Sequence, residues 1–348
     1  MIRSGRGRAA PVMMLALLPL TATACSSSSE RSTKDAEGVD HIQVAVSNYT
    51  SVPYGLPYLV ADKQGMFKKN RIAVDKVVSS TGGGTTIRLL MSGDLAFADA
   101  SVNASLQAVQ QGSDVKIVGG GTQSVRDGCT LVRKDAPFKS FEELAGRTIG
   151  YTNPGSASEG ITRLYVARSG LGQDDFTLKA TGGMREGLAL LQKGAVDLVP
   201  GVGPLCSDPR FKVLDTTELV PRFQVTTTIT SAKFAREQPD LVKRFLASLH
   251  EANLWVRKNP EAAGDMLAAH LQQPAEPVRS LVSELVKDPA HWDVGLDPEP
   301  VNAALAGARL SGITEADTQP LENILDQSHL PQGVSKVDPS QLSSEPGR

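Results

Sequence analysis

Short runs in which apolar and polar residues alternate are separated, along the first half of the chain, by segments with helical spacing of apolar residues. In the segment 41–47 (HIQVAVS) every second residue is apolar, which predicts a strand, and 56–67 has the three- and four-residue spacing of an amphipathic helix. The pattern continues with predicted strands at 72–78, 95–98 and 115–118 and predicted helices at 85–91 and 101–111. After about residue 238 it is wholly helical, at 240–257, 260–271, 277–286 and 300–310. Such alternation is typical of an α/β fold with parallel-rich sheets flanked by helices.

Two segments about 100 residues apart resemble each other. Residues 81–98 read TGGGTTIRLLMSGDLAFA, and residues 181–199 read TGGMREGLALLQKGAVDLV. Each gives Thr-Gly-Gly, a helical segment with a Leu-Leu pair, a glycine and a short strand. Chance similarity between two α/β units is one interpretation. The other is two similar lobes with a ligand between them, at the carboxyl ends of the strands.

The N-terminus changes the picture of where the protein works. Arg3, Arg6 and Arg8 precede the apolar stretch 11–20, which is shorter than the roughly 20 residues of a membrane span. Ala22-Thr23-Ala24 and then Cys25 follow, as in a bacterial lipobox. We predict a signal peptide at 1–24, lipidation of Cys25, a flexible linker at 25–38 and a location at the outer face of the cytoplasmic membrane. An ordinary cleaved signal with an incidental cysteine is the alternative.

Composition and charge exclude several functional classes. The chain has 348 residues, 40% of them hydrophobic, and a formal net charge of −2, which argues against a nucleic-acid partner. The five histidines show no metal-ligand spacing and lie outside the loops predicted to face the cleft: His41, His250, His270, His291 and His329. We therefore expect no metal, no cofactor and no catalysis, and a monomer.

Five motifs in order carry a resemblance to a known family. They are LPYLVADKQGMFKKN at 56–70, MSGDLAFA at 91–98, GSDVKIV at 112–118, SFEELAGRTIG at 140–150 and a helix that begins at QPD, 238–240. Together they cover about residues 40–260 and resemble the nitrate, sulfonate, taurine and thiamine-precursor family of ABC-importer substrate-binding proteins. The resemblance implies a two-lobe, type 2 periplasmic-binding-protein fold that closes on a hinge. It also implies an ABC permease and its ATPase as partners.

The expected organisation follows from these patterns. Lobe 1 would comprise 39–128 and 231–330, lobe 2 would comprise 129–230, and 331–348 would be a disordered tail. The chain would cross between lobes at 129–134 and 224–230, where Thr226–Thr228 is β-branched. Cys129 and Cys206 could form one disulfide, but sequence alone does not bring them together.

Loops that follow strands and lead into helices supply the candidate binding residues. The loop 151–158 is the strongest candidate, because it opens a helix whose N–H groups would point into the cleft. Ser156 or Ser158 would cap that helix, contact ligand, or both. The residues predicted to bind ligand are Asn48, Tyr49, Thr81, Gly82, Gly83, Asp99, Ser101, Asn153, Ser156, Ser158, Arg185 and Gly203.

The predicted function is capture of a small anionic solute of the sulfonate, nitrate or taurine type for an ABC importer. A thiamine precursor or another heterocycle is the alternative, favoured if Tyr49 and Asp99 both face the cleft, because an aromatic ring can stack on a flat ligand. A cofactor-free enzyme or a signalling receptor on the same fold is the second alternative. Fold alone does not decide among them.

Overall fold

Two mixed β-sheets, each flanked by helices, organise the chain. A computed structural model describes Met1 and residues 31–315 and 321–345. The strands are Ser32–Lys34 (β1), Asp40–Ser47 (β2), Ile72–Ser80 (β3), Phe97–Ala100 (β4), Val115–Gly119 (β5), Gly128–Arg133 (β6), Thr148–Tyr151 (β7), Thr177–Ala180 (β8), Leu198–Val202 (β9), Phe211–Leu214 (β10) and Thr227–Ser231 (β11). The α-helices are Leu56–Lys63 (α1), Met66–Lys69 (α2), Gly83–Met91 (α3), Val102–Gln110 (α4), Ala157–Arg168 (α5), Met184–Gln192 (α6), Ala232–Glu237 (α7), Pro239–Lys258 (α8), Pro260–Leu271 (α9), Ala275–Leu285 (α10) and Pro298–Leu310 (α11).

The two sheets have the same topology. The first has the order β3-β2-β4-β11-β5, with β1 paired to the start of β2, and the second has the order β8-β7-β9-β6-β10. In each, three parallel strands are followed by a strand that pairs antiparallel with both of its neighbours. The similar segments at 81–98 and 181–199 supply α3 with β4 and α6 with β9, which hold equivalent places. The topology therefore confirms two related units, which we call the first lobe and the second lobe.

The crossings between lobes differ from the predicted ones. Residues 129–134, expected to cross, mostly lie within β6 inside the second sheet, and the β-branched run forms β11 between β4 and β5. The segments 120–127 and 215–226 connect the lobes, so the predicted crossing 224–230 is right for 224–226 only. The two connecting segments pair through Val225 N, which donates to Thr122 O at 2.8 Å. The β-branched residues correctly indicated a strand, but that strand is β11 in the centre of the first sheet and not a connection between the lobes.

Two segments expected to be flexible are held in the described structure. Within the predicted linker, β1 pairs with β2, and Arg31 donates to Leu95 O at 3.0 Å. Within the predicted tail, Val337 is buried and exchanges two hydrogen bonds with Gln327, and Ser335 O accepts from Leu296 N. Burial and backbone pairing of this kind are what tie a terminus down. Apart from Met1, the predicted signal peptide and Cys25 lie outside the described residues.

The helices after residue 238 agree closely with their predicted bounds, whereas the helix predicted at 56–67 is divided. Gly65 has φ +70°, a left-handed conformation that ends α1 and starts α2. Helix α8 packs on the first sheet, where the Phe97 and Phe245 rings stack with centroids 3.9 Å apart. Among residues 31–315 and 321–345, no helix combines the length and hydrophobicity needed to cross a membrane.

Candidate functional site

A cavity of about 90 Å³ lies between the lobes at the carboxyl ends of the parallel strands. Ser47 and Asn48 at the end of β2, Ser101 after β4 and Thr152 after β7 contribute to its wall. A water molecule occupies roughly 10–15 Å³ by such a measure, so the cavity has room for a small solute. Its position is where open α/β sheets bind ligands.

Four helix N-termini surround this cavity. Gly82 and Gly83 begin α3, Ser101 caps α4, Ser156 caps α5 and Met184 begins α6, and all five residues line the wall. The first N–H groups of a helix lack intrahelical partners, and the helix dipole places partial positive charge there. The wall therefore favours an anionic or hydrogen-bond-accepting group.

A network of hydroxyl groups fixes the start of α5. Ser156 Oγ accepts from Glu159 N at 3.2 Å, which makes it the N-cap. Ser158 Oγ accepts from Thr152 N at 3.0 Å and lies 2.7 Å from Thr152 Oγ1. The Glu159 carboxylate pairs with Arg163, which balances its charge at this helix end. These contacts hold the N-terminus of α5 against the end of β7.

The first lobe presents a similar arrangement. Ser47 Oγ donates to Asp99 O at 3.0 Å and lies 3.0 Å from Thr86 Oγ1, while Thr86 Oγ1 donates to Gly82 O. Asn48 has φ +53°, a left-handed conformation that asparagine tolerates better than most residues. This turn directs the chain around the cavity immediately after β2.

Asp127 supplies a carboxyl group to the same cavity. The residue is 3% exposed, and its Oδ2 has no hydrogen-bond partner among the described residues. Burial raises the pKa of Asp127 to about 7, because desolvation penalises the charged form. An unpartnered buried carboxylate is costly, and a ligand N–H donor or cation would relieve that cost.

A second buried carboxyl group, Asp99, lies behind the cavity wall. Burial raises the pKa of Asp99 to about 7, and hydrogen bonds from Thr226 and the Ser47 backbone offset only part of this. Tyr54 lines the cavity, and burial, with Asp127 and Asp99 nearby, raises its pKa well above the usual range. Its hydroxyl group therefore stays protonated and able to donate.

The structure brings six of the twelve predicted binding residues to the cavity wall: Asn48, Gly82, Gly83, Ser101, Ser156 and Ser158. Two more lie at the rim, where Asn153 Nδ2 is 3.3 Å from Gly182 O and 3.5 Å from Thr81 O. The other four lie elsewhere. Asp99 is behind the wall, and Arg185 is exposed while its neighbour Met184 faces the cavity. Gly203 lines a separate groove.

Tyr49 turns away from the cavity for a steric reason. Its ring lies over Gly55, where a Cβ atom would come within 2.2 Å of Tyr49 Cδ2, and packs on His270 with ring centroids 4.3 Å apart. The absence of a side chain at Gly55 thus creates the space that Tyr49 fills. The condition that favoured a heterocycle, with both Tyr49 and Asp99 facing the cleft, is not met.

Sequence reasoning missed several wall residues, among them Tyr54, Asp127, Thr130, Tyr165 and Thr226. Asp127 belongs to the first crossing segment, which was predicted a few residues away at 129–134, whereas Thr226 lies within the predicted crossing 224–230 but was not predicted to bind ligand. One signal was available for Asp127, since a carboxyl group in a segment that joins two lobes at a cleft is a candidate binding group.

Cys129 and Cys206 are joined by a disulfide, with Cα atoms 5.9 Å apart. None of the five histidines lines the cavity. His291 is buried beside Ser124 in the crossing segment, and burial lowers its pKa to about 3, so it stays neutral. Within the described residues, no cluster of three or more histidine, cysteine, aspartate or glutamate residues could hold a metal ion.

The fold is shared with several solved structures. The alkanesulfonate-binding protein SsuA from Xanthomonas axonopodis pv. citri, bound to MOPS, is 18% identical with a TM-score of 0.63, covering 87% of this chain and 96% of that one. The periplasmic nitrate-binding protein NrtA from Synechocystis PCC 6803 is 16% identical with a TM-score of 0.67, covering 89% and 92%. The desulfurization enzyme DSZB is 18% identical with a TM-score of 0.56, covering 78% and 93%.

Comparison with curated proteins gave no match. The sequence does match a family model, described as NMT1/THI5 like, over residues 52–263, which is more than half of the chain. The matched region runs from the turn before α1 to the start of α9 and includes every residue of the cavity wall except Ser47 and Asn48. The chain therefore belongs to the NMT1/THI5-like family and has the type 2 periplasmic-binding-protein fold.

Proposed function

We propose that this protein is the solute-binding component of an ABC importer and that its solute is a small zwitterion of the taurine type. The observation that carries the proposal is the meeting of four helix N-termini and the carboxyl group of Asp127 in one small cavity. The helix ends suit an anionic group, and Asp127 suits an ammonium group. Closure of two lobes around a solute is the usual motion of binding proteins with this architecture.

The anionic end of the solute would be held without a basic side chain. No lysine, arginine or histidine is among the described residues that line the cavity. Backbone N–H groups at helix N-termini, together with the hydroxyl groups of Ser101, Ser156 and Ser158, are sufficient donors for a sulfonate or carboxylate.

The cationic end would be held by Asp127. A simple anion such as nitrate would leave the Asp127 carboxyl group buried and unpartnered, whereas an ammonium group would pair with it. This argument favours a taurine-like solute over nitrate within the predicted anionic class. The names of the SsuA and NrtA relatives agree with a small anionic solute, at identities that establish only the fold.

A binding function is preferred to catalysis, although DSZB is an enzyme with this fold. Nucleophilic catalysis needs a serine or cysteine activated by a neighbouring base. Among the described wall residues, the serine hydroxyl groups contact other hydroxyl groups, backbone N–H groups and, for Ser47, the backbone carbonyl of Asp99, and Cys129 is in a disulfide.

The location and partners are part of the same proposal. The basic, apolar and small-residue pattern of residues 1–25 supports export and lipidation of Cys25. A lipid-anchored, extracytoplasmic protein would load a permease, and an ATPase would drive transport. The lobes, roughly 39–119 with 227–330 and 128–214, would close on a hinge formed by the paired segments 120–127 and 215–226.

The test is calorimetric titration of the full chain with four small solutes: taurine, ethanesulfonate, ethylamine and nitrate. We expect taurine to bind most tightly, because only taurine satisfies both the helix N-termini and Asp127. Asp127→Asn should weaken taurine binding by about tenfold or more, as loss of a buried charged pair does. The same substitution should leave ethanesulfonate unaffected or slightly favoured.

Asp135→Asn is the matched control, because Asp135 follows β6 but its side chain is 89% exposed. It should leave taurine binding unchanged. Tighter binding of nitrate or ethanesulfonate than of taurine would replace the zwitterion with a simple anion. Binding of none of the four would overturn the proposed solute class.

A further inference from the structure

The crossing segments 120–127 and 215–226 are joined at Thr226 by a side chain as well as by the backbone. Thr226 Oγ1 accepts from Thr122 N at 3.0 Å, and Thr226 N donates to Thr122 O at 3.2 Å. Both residues are buried. A buried N–H group needs an acceptor, because an unpartnered one costs the full penalty of its desolvation. The Thr226 hydroxyl group therefore fixes where the backbone of Thr122 lies.

The glycine at position 121 makes this contact possible. A Cβ atom on Gly121 would lie 2.5 Å from Thr226 Oγ1 and 2.9 Å from Thr226 O, so a larger residue would displace the hydroxyl group. The backbone beside Thr122 can approach Thr226 this closely only because position 121 has no side chain. The contact therefore depends on a residue from each crossing segment, a glycine at 121 and a hydroxyl group at 226.

The Thr226 hydroxyl group also binds the first sheet. A hydrogen bond from it to the Asp99 carboxyl group opposes the rise in the pKa of Asp99 that burial causes. Asp99 belongs to β4, which pairs with β11 immediately after Thr226. The single hydroxyl proton is thus used within the protein, although Thr226 lines the cavity. This arrangement suits a residue that positions other groups rather than one that donates to a solute.

The segment that Thr226 holds is the one that carries Asp127. The pairing of the crossing segments continues from Thr226 through an antiparallel bridge between Ser124 and Arg222. From the second lobe, Gly203 N donates to Asp127 O at 2.7 Å. Asp127 is therefore held between a contact with the second lobe and the Thr226 contact on the side of the first lobe. A slip in the pairing would move its carboxyl group relative to the helix N-termini of the first lobe.

We propose that Thr226 is a positioning residue for Asp127: its hydroxyl group sets the pairing of the two crossing segments and thereby places the Asp127 carboxyl group where it meets the ammonium group of the solute. The proposal rests on the proposed function for the contact between Asp127 and an ammonium group. It goes beyond that function by assigning part of the discrimination between a zwitterion and a simple anion to a residue that does not bind the ammonium group.

The test compares the dissociation constants of taurine and ethanesulfonate, measured by calorimetric titration of the full chain. Thr226→Val keeps the shape of the side chain and removes its hydroxyl group. It should weaken taurine binding by about fivefold or more and change ethanesulfonate binding by less than about twofold, because only the ammonium group depends on Asp127. Thr226→Ser retains the hydroxyl group and should keep the preference of the unmodified chain for taurine.

A double substitution tests whether the effect passes through Asp127. In a chain that already carries Asp127→Asn, adding Thr226→Val should change taurine binding by less than about twofold, because no carboxylate remains to be positioned. Residues that act through one another give non-additive effects of this kind, whereas independent residues give effects that add.

Thr228→Val is the matched control. Thr228 is also buried, and its hydroxyl group donates to Gly120 O at 3.1 Å in the same crossing segment, but Thr228 does not line the cavity. This control should lower the melting temperature and leave both dissociation constants unchanged. Since valine at 226 leaves a buried N–H group without an acceptor, the smaller Thr226→Ala provides a second variant without the hydroxyl group. Melting temperatures show whether each variant has folded.

The outcomes separate this inference from the proposed function. If the unmodified chain binds taurine but the variants without the Thr226 hydroxyl group lose both solutes equally, or lose neither, the positioning role is wrong and the proposed function stands. Additive effects of Thr226→Val and Asp127→Asn, or the same loss of taurine in Thr228→Val, would also overturn the positioning role. If taurine does not bind the unmodified chain, both proposals fail.

Discussion

Gly160 in α5 and Gly307 in α11 lie against each other where the two helices cross. A Cβ atom on Gly307 would lie 2.8 Å from the Cα atom of Gly160, a distance that real Cβ atoms do not reach. The contact joins a helix of the second lobe to the C-terminal helix, which also packs on α4. The two glycines thus set the separation between α5, whose N-terminus lines the cavity, and α11, against which α5 packs.

Gly307→Ala should destabilise the protein by about 1–3 kcal/mol through overpacking, even though alanine is the better helix former. Gly84→Ala is the matched control, since a Cβ there meets only the Arg88 guanidinium at 3.8 Å. The control should leave stability unchanged or raise it by up to about 1 kcal/mol. Denaturant titration of both variants checks this, and equal stabilisation by both would show that the α5–α11 contact is not close-packed.

The pKa of Asp127, about 7 in the folded chain, predicts pH-dependent stability and binding. The ordinary value is about 3.9, so between pH 4 and 7 the folded chain binds a proton that the unfolded chain does not. The free energy of unfolding should therefore fall as pH rises through this range. Affinity for taurine should change in the opposite direction and rise up to about pH 7, by at most tenfold per pH unit, because ammonium binding needs the ionised carboxylate.

Asp99 provides the control for this pH dependence, because its pKa is also about 7 but its side chain lies behind the cavity wall. Asp99→Asn should flatten part of the stability profile and leave the pH dependence of taurine binding in place. Asp127→Asn should flatten part of the stability profile and remove the binding dependence. Thermal unfolding and calorimetry between pH 5 and 8 distinguish them, and a binding profile that survives Asp127→Asn would contradict the role of Asp127.

Ser156 is predicted both to cap α5 and to contact the solute. Ser231, which also caps a helix, serves as a control for the capping role alone. Ser156 and Ser231 both cap helices through hydrogen bonds from backbone N–H groups, at 3.2 and 3.1 Å, but only Ser156 lines the cavity. Each alanine variant should lose about 1 kcal/mol of stability. Only Ser156→Ala should also weaken taurine binding. If both variants bind taurine normally, Ser156 only caps α5.

The parts of the site that could be predicted from sequence are those that depend on short local sequence patterns. The pattern of a strand, a small polar residue and then a helix correctly predicted that Ser101 and Ser156 lie at helix N-termini. The repeated Thr-Gly-Gly motif predicted where α3 and α6 begin. A helix start requires particular residue types within a few positions of it, so these features can be recognised from the sequence.

The parts that could not be predicted depend on packing between distant segments. Tyr49 and Tyr54 are both tyrosines in one loop, and the space beside Gly55 and His270 decides that Tyr49 turns away while Tyr54 faces the cavity. Likewise, Asp127 was missed because the pairing of the two crossing segments sets its orientation. Residue type and spacing do not show how side chains are oriented by contacts with segments that are distant in the sequence.

The disulfide should stabilise both the fold and the wall around Asp127. It joins residues separated by 77 positions, and loss of such a crosslink costs about 2–4 kcal/mol. A chain with both Cys129→Ser and Cys206→Ser should therefore unfold at lower denaturant concentration and bind taurine more weakly, because Gly203, which donates to Asp127 O, begins the 3-10 helix that contains Cys206. Unchanged taurine affinity in the folded double variant would show that the disulfide does not hold Asp127 in place.

Asn153 should act as a latch between the lobes. Its Nδ2 lies 3.3 Å from Gly182 O in its own lobe and 3.5 Å from Thr81 O in the other lobe, at the rim of the cavity. A contact of this length between two lobes that separate contributes little to global stability, but it stabilises the closed state. Asn153→Ala should therefore weaken taurine binding by about two- to fivefold through faster dissociation, with an unchanged melting temperature. Asn153→Asp places a carboxylate beside two carbonyl oxygens and should weaken binding further. Stopped-flow dissociation rates measure both effects, and equal dissociation rates in all three proteins would show that closure does not depend on this contact.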